Sequence, residues 1–242
     1  MAKRTESAPF SFATFCNHLT KINPESSVLK NNPFSKINAW IPLGNYLLNA
    51  QVTGSLFRGI PEGRVTMIAG QSGTGKTYLA LNSAREAQKM GYYIIWIDTE
   101  NAVDIDMMER FGINSELVDY QPVDDISMAI NLLRNIAEQL NIQRKSGGEM
   151  PKIFVVLDSL GNLSTSKEKA DTLSGSDKKD MTRPSEIKKL FRVMIRDFGI
   201  LKIPCVITNH THKDIGSFIS TDVIGGGGGA EYNPSVTLML SK

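Results

Sequence analysis

Gly70-Gln71-Ser72-Gly73-Thr74-Gly75-Lys76-Thr77 fits the pattern G-x-x-x-x-G-K-[ST], whose chemistry is the cradling of a nucleoside triphosphate. Glycines at 70, 73 and 75 let successive backbone N–H groups turn inward with no Cβ in the way, forming a nest for phosphate oxygens. A helix that starts after the loop adds the positive end of its dipole. Lys76 supplies a mobile cation for the β and γ phosphates, and the Thr77 hydroxyl stands where it can ligate Mg²⁺. A glycine-rich turn before an ordinary helix is the plainer alternative, and the flanks decide against it. Arg64-Val-Thr-Met-Ile-Ala69 is short, apolar and β-branched, as a buried strand should be, while Leu79, Ala80, Ala84, Ala87 and Met90 recur near helical spacing. The loop therefore joins a strand to a helix.

Outward from the loop the alternation continues. Strands are expected at 64–69, 92–98, 152–158, 203–209 and 236–240, and helices at 76–90, 104–111, 125–141 and 183–200. Ile126, Ile130, Leu133, Ala137 and Leu140 make one apolar stripe; Ile187, Leu190, Phe191, Met194 and Ile195 make another and leave Arg196 to solvent. Apolar strands alternating with helices imply an α/β fold, a largely parallel central sheet flanked by helices. Residues 1–50 carry polar, Asn- and Pro-rich turns around short apolar patches and read as an N-terminal arm or subdomain. The regular core is assigned to 51–242.

A chain of 242 residues with 41% hydrophobic and 21% charged side chains can bury a sizeable core, which argues against disorder. A net charge of only +2 leaves any nucleic-acid site to local clustering. Cys16 and Cys205 make no disulfide framework; Cys205, inside Ile203-Pro-Cys-Val-Ile-Thr208, reads as a buried thiol, in keeping with a reducing cytoplasm. Lys3 and Arg4 are followed by no apolar core of a secretory signal, and no apolar run is long enough for a bilayer, so no membrane partner is expected. No internal repeat or metal-ligand spacing is visible.

Right-handed crossovers place ligands at the carboxyl ends of parallel strands. Asp98, Glu100, Asp158, Asn209 and His210 are therefore expected to converge on the loop at 70–77. Asp158 closes the apolar run Phe154-Val-Val-Leu-Asp and reads as a holder of the Mg²⁺ shell, or else as the cap of a turn. Glu100 can reach past the sheet edge to polarise a water in line with the γ phosphate; its alternative is a solvated loop carboxylate. His210 reads either as a γ-phosphate sensor or as a plain loop residue.

The order of these elements resembles the RecA-type recombinases, and in particular their phage, UvsX-like branch. Gly59-Ile-Pro-Glu-Gly-Arg64 looks like the family's entry to its phosphate loop. Asp98-Thr-Glu100-Asn-Ala-Val-Asp104 resembles the segment of the water-activating glutamate, with Asp104 where the adenine is contacted. Leu157-Asp158-Ser-Leu-Gly-Asn162 resembles the magnesium strand, and Asp180-Met-Thr-Arg183 with Lys189-Leu-Phe-Arg192 a feature of the phage branch. Ile203-Pro-Cys-Val-Ile-Thr-Asn-His210-Thr and Gly225-Gly-Gly-Gly-Gly229 are similar to the switch residue and second DNA loop. The resemblance covers about residues 40–242.

What it implies is a RecA-like ATPase core: ATP and Mg²⁺ as cofactors, Glu100 and Lys76 in catalysis, and His210 as sensor and as coupler of ATP to DNA. DNA contact falls on two irregular segments. In 164–192 eight basic residues face five acidic ones, with Arg183 where the family meets the DNA backbone; a solvated charged face is the bland alternative. The other, 211–229, has Lys213, Phe218, for stacking on bases or packing under the loop, and Gly225, Gly226 and Gly227 in a run expected to order against DNA. The implied partners are single-stranded and duplex DNA, further copies in a helical filament, and a single-strand binding protein and loader. Phe10-Ser-Phe-Ala13 has the F-x-x-A pattern that anchors protomers in some relatives. Relatives continue past the strand ending at Leu240 with basic residues that reach the neighbour's ATP, so weakened hydrolysis is expected here. A nucleotide-gated scaffold or mediator and a ring-forming helicase remain the alternative readings.

Overall fold

The computed structural model describes residues 10–24, 26–32, 35–174, 182–213 and 222–242, with backbone alone at 171–174. Contacts divide the chain into two units, Met1–Ile37 and Asn38–Lys242. The first holds helix α1 (Phe12–Ile22), started by Ser11, whose side chain accepts from the Thr14 N–H. Phe12, Phe15, Leu19 and Ile22 recur along it at helical spacing, a period hidden in the sequence by the polar residues around it.

The second unit begins with β1 (Trp40–Ile41), antiparallel to β2 (Ile60–Pro61), with helix α2 (Tyr46–Thr53) between them. Asn45 starts α2 by accepting from the Leu47 and Leu48 N–H groups, and Gly54 ends it in the left-handed region. Buried Asn49 pins the segment, accepting from Leu43 N at 2.8 Å and donating to Leu56 O at 2.8 Å. Residues 38–50, which composition groups with the N-terminal arm, thus lie in the unit that holds the main sheet.

That sheet comprises β3 (Val65–Gly70), β4 (Tyr93–Asp98), β5 (Val118–Pro122), β6 (Ile153–Asp158), β7 (Cys205–Lys213), β8 (Asp222–Ile224) and β9 (Val236–Leu240). The order is β5-β4-β6-β7-β3-β9, every neighbouring pair parallel, with β8 antiparallel to the far end of β7. The flanking helices are α3 (Lys76–Lys89), α4 (Ile105–Arg110), α5 (Ile126–Lys145), α6 (Ser166–Ser174), α7 (Arg183–Val193), α8 (Gly199–Leu201) and α9 (Gly228–Tyr232). The α/β class and the parallel sheet agree with the reading of the sequence.

Strand alternation sorts the core into two layers. Ile94, Trp96, Phe154, Val156 and Val206 face α3, whose Ala80, Ala84 and Ala87 allow a close approach. Ile95, Ile97, Val155, Leu157 and Ile207 face α5 and α7. The expected stripe of α5 is buried throughout, and its helix runs on to Lys145. On α7 the stripe holds through Met194, but Ile195 is 44% exposed. Residues Met194–Phe198 form a π turn, whose wider i→i+5 spacing delays the helix phase and gives Phe198 the buried place. Phe191, fully buried between α5 and the sheet, should cost about 3–5 kcal/mol when changed to Ala, read as a lowered midpoint in urea.

β5 and α6 were not expected from the sequence. Val118-Asp-Tyr-Gln-Pro122 is a partly exposed edge strand with polar residues at its centre, and α6 lies in a mixed-charge stretch without an apolar stripe. The register sets Gly70 beside His210 and Asp98 beside Asp158, so the carboxyl ends of four adjacent strands meet.

Candidate functional site

The phosphate loop leaves β3 at Gly70 and enters α3 through Gly75, whose φ of 92° is left-handed, a turn that glycine makes without strain. A Cβ on Gly70 would lie 2.7 Å from both Leu240 O and Thr74 Oγ1, so the closeness of β9 also demands glycine there. Within the loop, the Gln71 carbonyl accepts from Thr74 Oγ1 at 2.8 Å and Lys76 Nζ at 3.0 Å. Lys76 is buried, which lowers its ammonium pKa, while the Glu100 and Asp158 carboxylates work against that loss. The loop and its helix therefore form a backbone cradle with a buried cation, a fit for a polyphosphate.

Beside it, Asp158 accepts from Thr77 Oγ1 at 2.8 Å and, on its other oxygen, from Thr208 Oγ1. Burial raises the Asp158 carboxyl pKa in spite of the two hydroxyls, and the Glu100 and Asp98 carboxylates add to the rise. Such a cluster calls for a cation. Thr77 and Asp158 offer two oxygen donors side by side, which suits Mg²⁺, an ion that keeps several waters and takes the rest of its shell from phosphate. Among the described residues no group of three or more His, Cys, Asp or Glu forms a metal cage, consistent with this sparse donor set. Asp158→Asn should remove the Mg²⁺ dependence of nucleotide affinity while leaving stability within about 1 kcal/mol, because a crowded buried charge is lost and the hydroxyl partners remain. Titrations with and without Mg²⁺, beside a urea melt, check both halves.

Glu100 Oε1 accepts from Ser159 Oγ at 2.5 Å and lies 3.0 Å from His210 Nε2. Burial pushes the Glu100 carboxyl up, but those two hydrogen bonds, His210 and Lys76 together outweigh it and hold the group below its usual range. Asp98, although at the same sheet edge, does not face the phosphate loop. Its carboxylate accepts from the Glu100 and Asn101 N–H groups at 2.9 and 2.8 Å and from Tyr120 Oη at 2.9 Å, so it holds the turn that carries Glu100. Burial, with Asp98 behind it, pushes the Tyr120 hydroxyl up to about 12. Asn209 also turns aside: its Nδ2 donates to Gly225 O at 2.7 Å, while its Oδ1 accepts from His210 N at 2.9 Å.

The residues expected at DNA have other partners in this conformation. Arg183 donates to Gly161 O at 2.7 Å and pairs with Glu168 at 3.1 Å. Lys213 pairs with Asp222 across β7 and β8 at 3.1 Å. Phe218 lies outside the described residues. Gly225 N donates to His210 O at 3.0 Å, and a Cβ on Gly226, at φ 96°, would press on Ile187 at 3.1 Å. The glycine run thus packs against α7 at Gly226 and Gly229, while Gly227 and Gly228 are exposed. With Arg183, Gly161 and His210 it lines a pocket of about 180 Å³. Asp104 caps α4, accepting from Met107 N at 2.7 Å, and borders a separate pocket of about 540 Å³ with Val103, Met108 and Tyr120. Sequence reasoning missed Ser159, Thr208 and Tyr120; the first two adjoin Asp158 and Asn209 in the chain, whereas Tyr120 sits on the strand that carried no apolar signal.

A parallel sheet with a phosphate loop at one strand end, and carboxylates supplied by the strands beside it, defines the class of RecA-like cores. Residues 21–238 match the RecA N-terminal domain, and the chain belongs to that family. It is similar to the "Recombination and repair protein" of Enterobacteria phage T4, 30% identical over 204 residues, which is 84% of this chain and 49% of the phage protein. It is also similar to "Protein RecA" of Solidesulfovibrio magneticus, 35% identical over 130 residues, covering 50% of this chain and 36% of that one. "Protein RecA" of Mycoplasma mobile is 25% identical over 208 residues, covering 81% of this chain and 58% of that one. The chain thus spans between about a third and three fifths of these relatives.

Proposed function

We propose that this chain is the ATP-binding core of a homologous recombination protein, which coats single-stranded DNA as a helical filament, pairs it with duplex DNA, and hydrolyses ATP in response to DNA. The observation that carries the reading is His210: its ring meets Glu100 at 3.0 Å, and its carbonyl accepts from Gly225, the first residue of the glycine run. One residue thus joins the carboxylate beside the phosphate loop to the segment assigned to DNA.

In this mechanism the backbone N–H groups of 70–77 and the Lys76 ammonium bind the triphosphate, Asp104 orients the adenine, and Thr77 and Asp158 hold Mg²⁺. When bound, Mg²⁺ neutralises phosphate charge and helps to orient the transferred group. Glu100 orients the attacking water and takes its proton, for which it must first be released by Ser159 and His210. His210 can exchange Glu100 for the γ phosphate, and the same movement pulls on Gly225. Arg183, Lys213, Phe218 and Gly225 to Gly227 contribute to the DNA surface, which binds backbone phosphates largely without regard to sequence. A single-strand binding protein and a loader are the accessory partners of this reading, and the host cytoplasm is its setting. Among the described residues no helix is long and apolar enough to cross a membrane.

ATP turnover measured with and without single-stranded DNA, alongside electron microscopy of the complex, tests the proposal. Stimulated turnover on filaments supports it; ATP binding without turnover favours the nucleotide-gated scaffold, and rings favour the helicase. His210→Ala is expected to retain nucleotide binding but to collapse toward unity the ATP effect on DNA affinity, which for a coupled site is typically about 5–150-fold. A normal ATP response in that variant would sink the coupling role of His210.

A further inference from the structure

A second connection runs from the phosphate loop to the DNA-facing strands, by a route that does not involve His210. Gln71 Nε2 donates to Asp222 Oδ1 at 3.2 Å, and the same oxygen pairs with Lys213 Nζ at 3.1 Å. Gln71 lies in the phosphate loop, Lys213 ends β7, and Asp222 starts β8, so one carboxylate oxygen ties the distant phosphate loop to the paired ends of β7 and β8. The Lys213 ammonium foremost and the Gln71 amide next depress the Asp222 pKa, so the carboxylate is charged at neutral pH. The backbone of Gln71 is held as well: its carbonyl accepts from Lys76 Nζ and Thr74 Oγ1.

This arrangement has a consequence for nucleotide binding. A triphosphate in the loop competes for the Lys76 ammonium, so the Gln71 carbonyl loses one of the two side-chain donors that fix it. The side chain of Gln71 is then free to leave Asp222, and the carboxylate loses the neighbour that orients it toward Lys213. In the nucleotide-free state the pair cancels one positive charge on the strand leading into the 211–229 segment. We propose that Asp222 is a positioning residue, a latch that withholds Lys213 from DNA until nucleotide in the phosphate loop loosens Gln71. The proposal rests on the DNA-binding reading above for its purpose, but the latch itself is a statement about Gln71, Asp222 and Lys213.

Two measurements test it separately from that reading. The first needs no DNA: the wild-type chain is pulsed with acetic anhydride, with and without a non-hydrolysable ATP analogue and Mg²⁺, and acetylation of Lys213 is followed by mass spectrometry. Lys213 should become several-fold more reactive with nucleotide; at saturating nucleotide Gln71→Ala should show no such rise above its own nucleotide-free value. Equal reactivity with and without nucleotide in the wild type overturns the latch. The second uses a fluorescent single-stranded oligonucleotide. Asp222→Asn should raise nucleotide-free affinity about two- to fivefold, the range expected for release of an exposed ion pair. It should also steepen the plot of log affinity against log salt by about 0.7, the increment for one added phosphate contact on a single strand. In the double variant with Lys213→Ala both changes should vanish. An unchanged salt slope in Asp222→Asn, in a chain that binds DNA, overturns the proposal. A chain whose Lys213 answers nucleotide through Gln71 but which binds no DNA would uphold the latch and reject the DNA reading.

Discussion

Lys76→Ala is expected to abolish ATP turnover, lowering kcat/KM by on the order of 10²- to 10³-fold or more, with the fold intact. The size follows from what surrounds the ammonium. Lys76 is buried among Glu100 and Asp158, whose carboxylates are the stabilising partners of its charge. Without it the floor of the phosphate site holds two carboxylates and no cation, and a triphosphate brought there meets repulsion where it met attraction. The backbone nest alone would have to hold the anion. Stability should change little, because burial already disfavours the ammonium, and alanine is the better helix former at the first residue of α3. Thermal unfolding gives the clearest readout. Mg²⁺ with ATP should raise the melting temperature of the wild type, as any ligand of the folded state does, and leave that of the variant unmoved. ATP affinity within a few-fold of wild type would mean that the loop binds through its backbone and that Lys76 has another task.

Much of this site was legible because the chemistry at its centre constrains sequence tightly. Gly70, Gly75, Lys76 and Thr77 each answer a separate requirement, and the apolar strands before the loop and before Asp158 are buried on both faces, so they read as continuous hydrophobic runs. Where burial is partial the signal fades. β5 is an edge strand of mixed polarity, and with it went Tyr120, which braces Asp98 from the neighbouring strand. Asp98 illustrates a second limit. Its position at a strand end was readable, but a strand-end carboxylate can face the ligand or the turn after its own strand, and only the backbone N–H groups of Glu100 and Asn101 decide. Ile195 shows a third: a π turn changes helix phase without leaving a mark in the spacing of apolar residues. At the glycine run, spacing does not announce which residues pack: Gly226 and Gly229 approach Ile187 and Lys188, while Gly227 stands clear.

Glu100→Gln should separate binding from chemistry. Turnover is expected to fall by about 10²- to 10⁴-fold, the usual contribution of a positioned general base, while ATP affinity stays equal or tightens. Glutamine has the same length and keeps an oxygen that can accept from Ser159 Oγ, so the local structure survives. It removes one negative charge from the cluster with Asp158, which favours the anionic ligand. The protein should then retain ATP unhydrolysed and remain bound to single-stranded DNA, detectable as stoichiometric retention of labelled ATP and a slowed dissociation from DNA. The pH profile of the wild type adds a check on the same residue. Hydrogen bonds from Ser159 and His210 hold the carboxyl below its usual range, against the pull of burial. A depressed acid stays ionised as pH falls from neutral, so the midpoint of any loss of kcat/KM due to Glu100, which reports the free enzyme, should lie below the ordinary glutamate value of about 4.3. The depressed value also makes a weak base, which fits a carboxylate held in reserve until His210 withdraws to the nucleotide. If Glu100→Gln turns over ATP within tenfold of wild type, the carboxylate is a structural partner of Ser159 and His210, and the water-orienting group must be sought among the other side chains at this sheet edge.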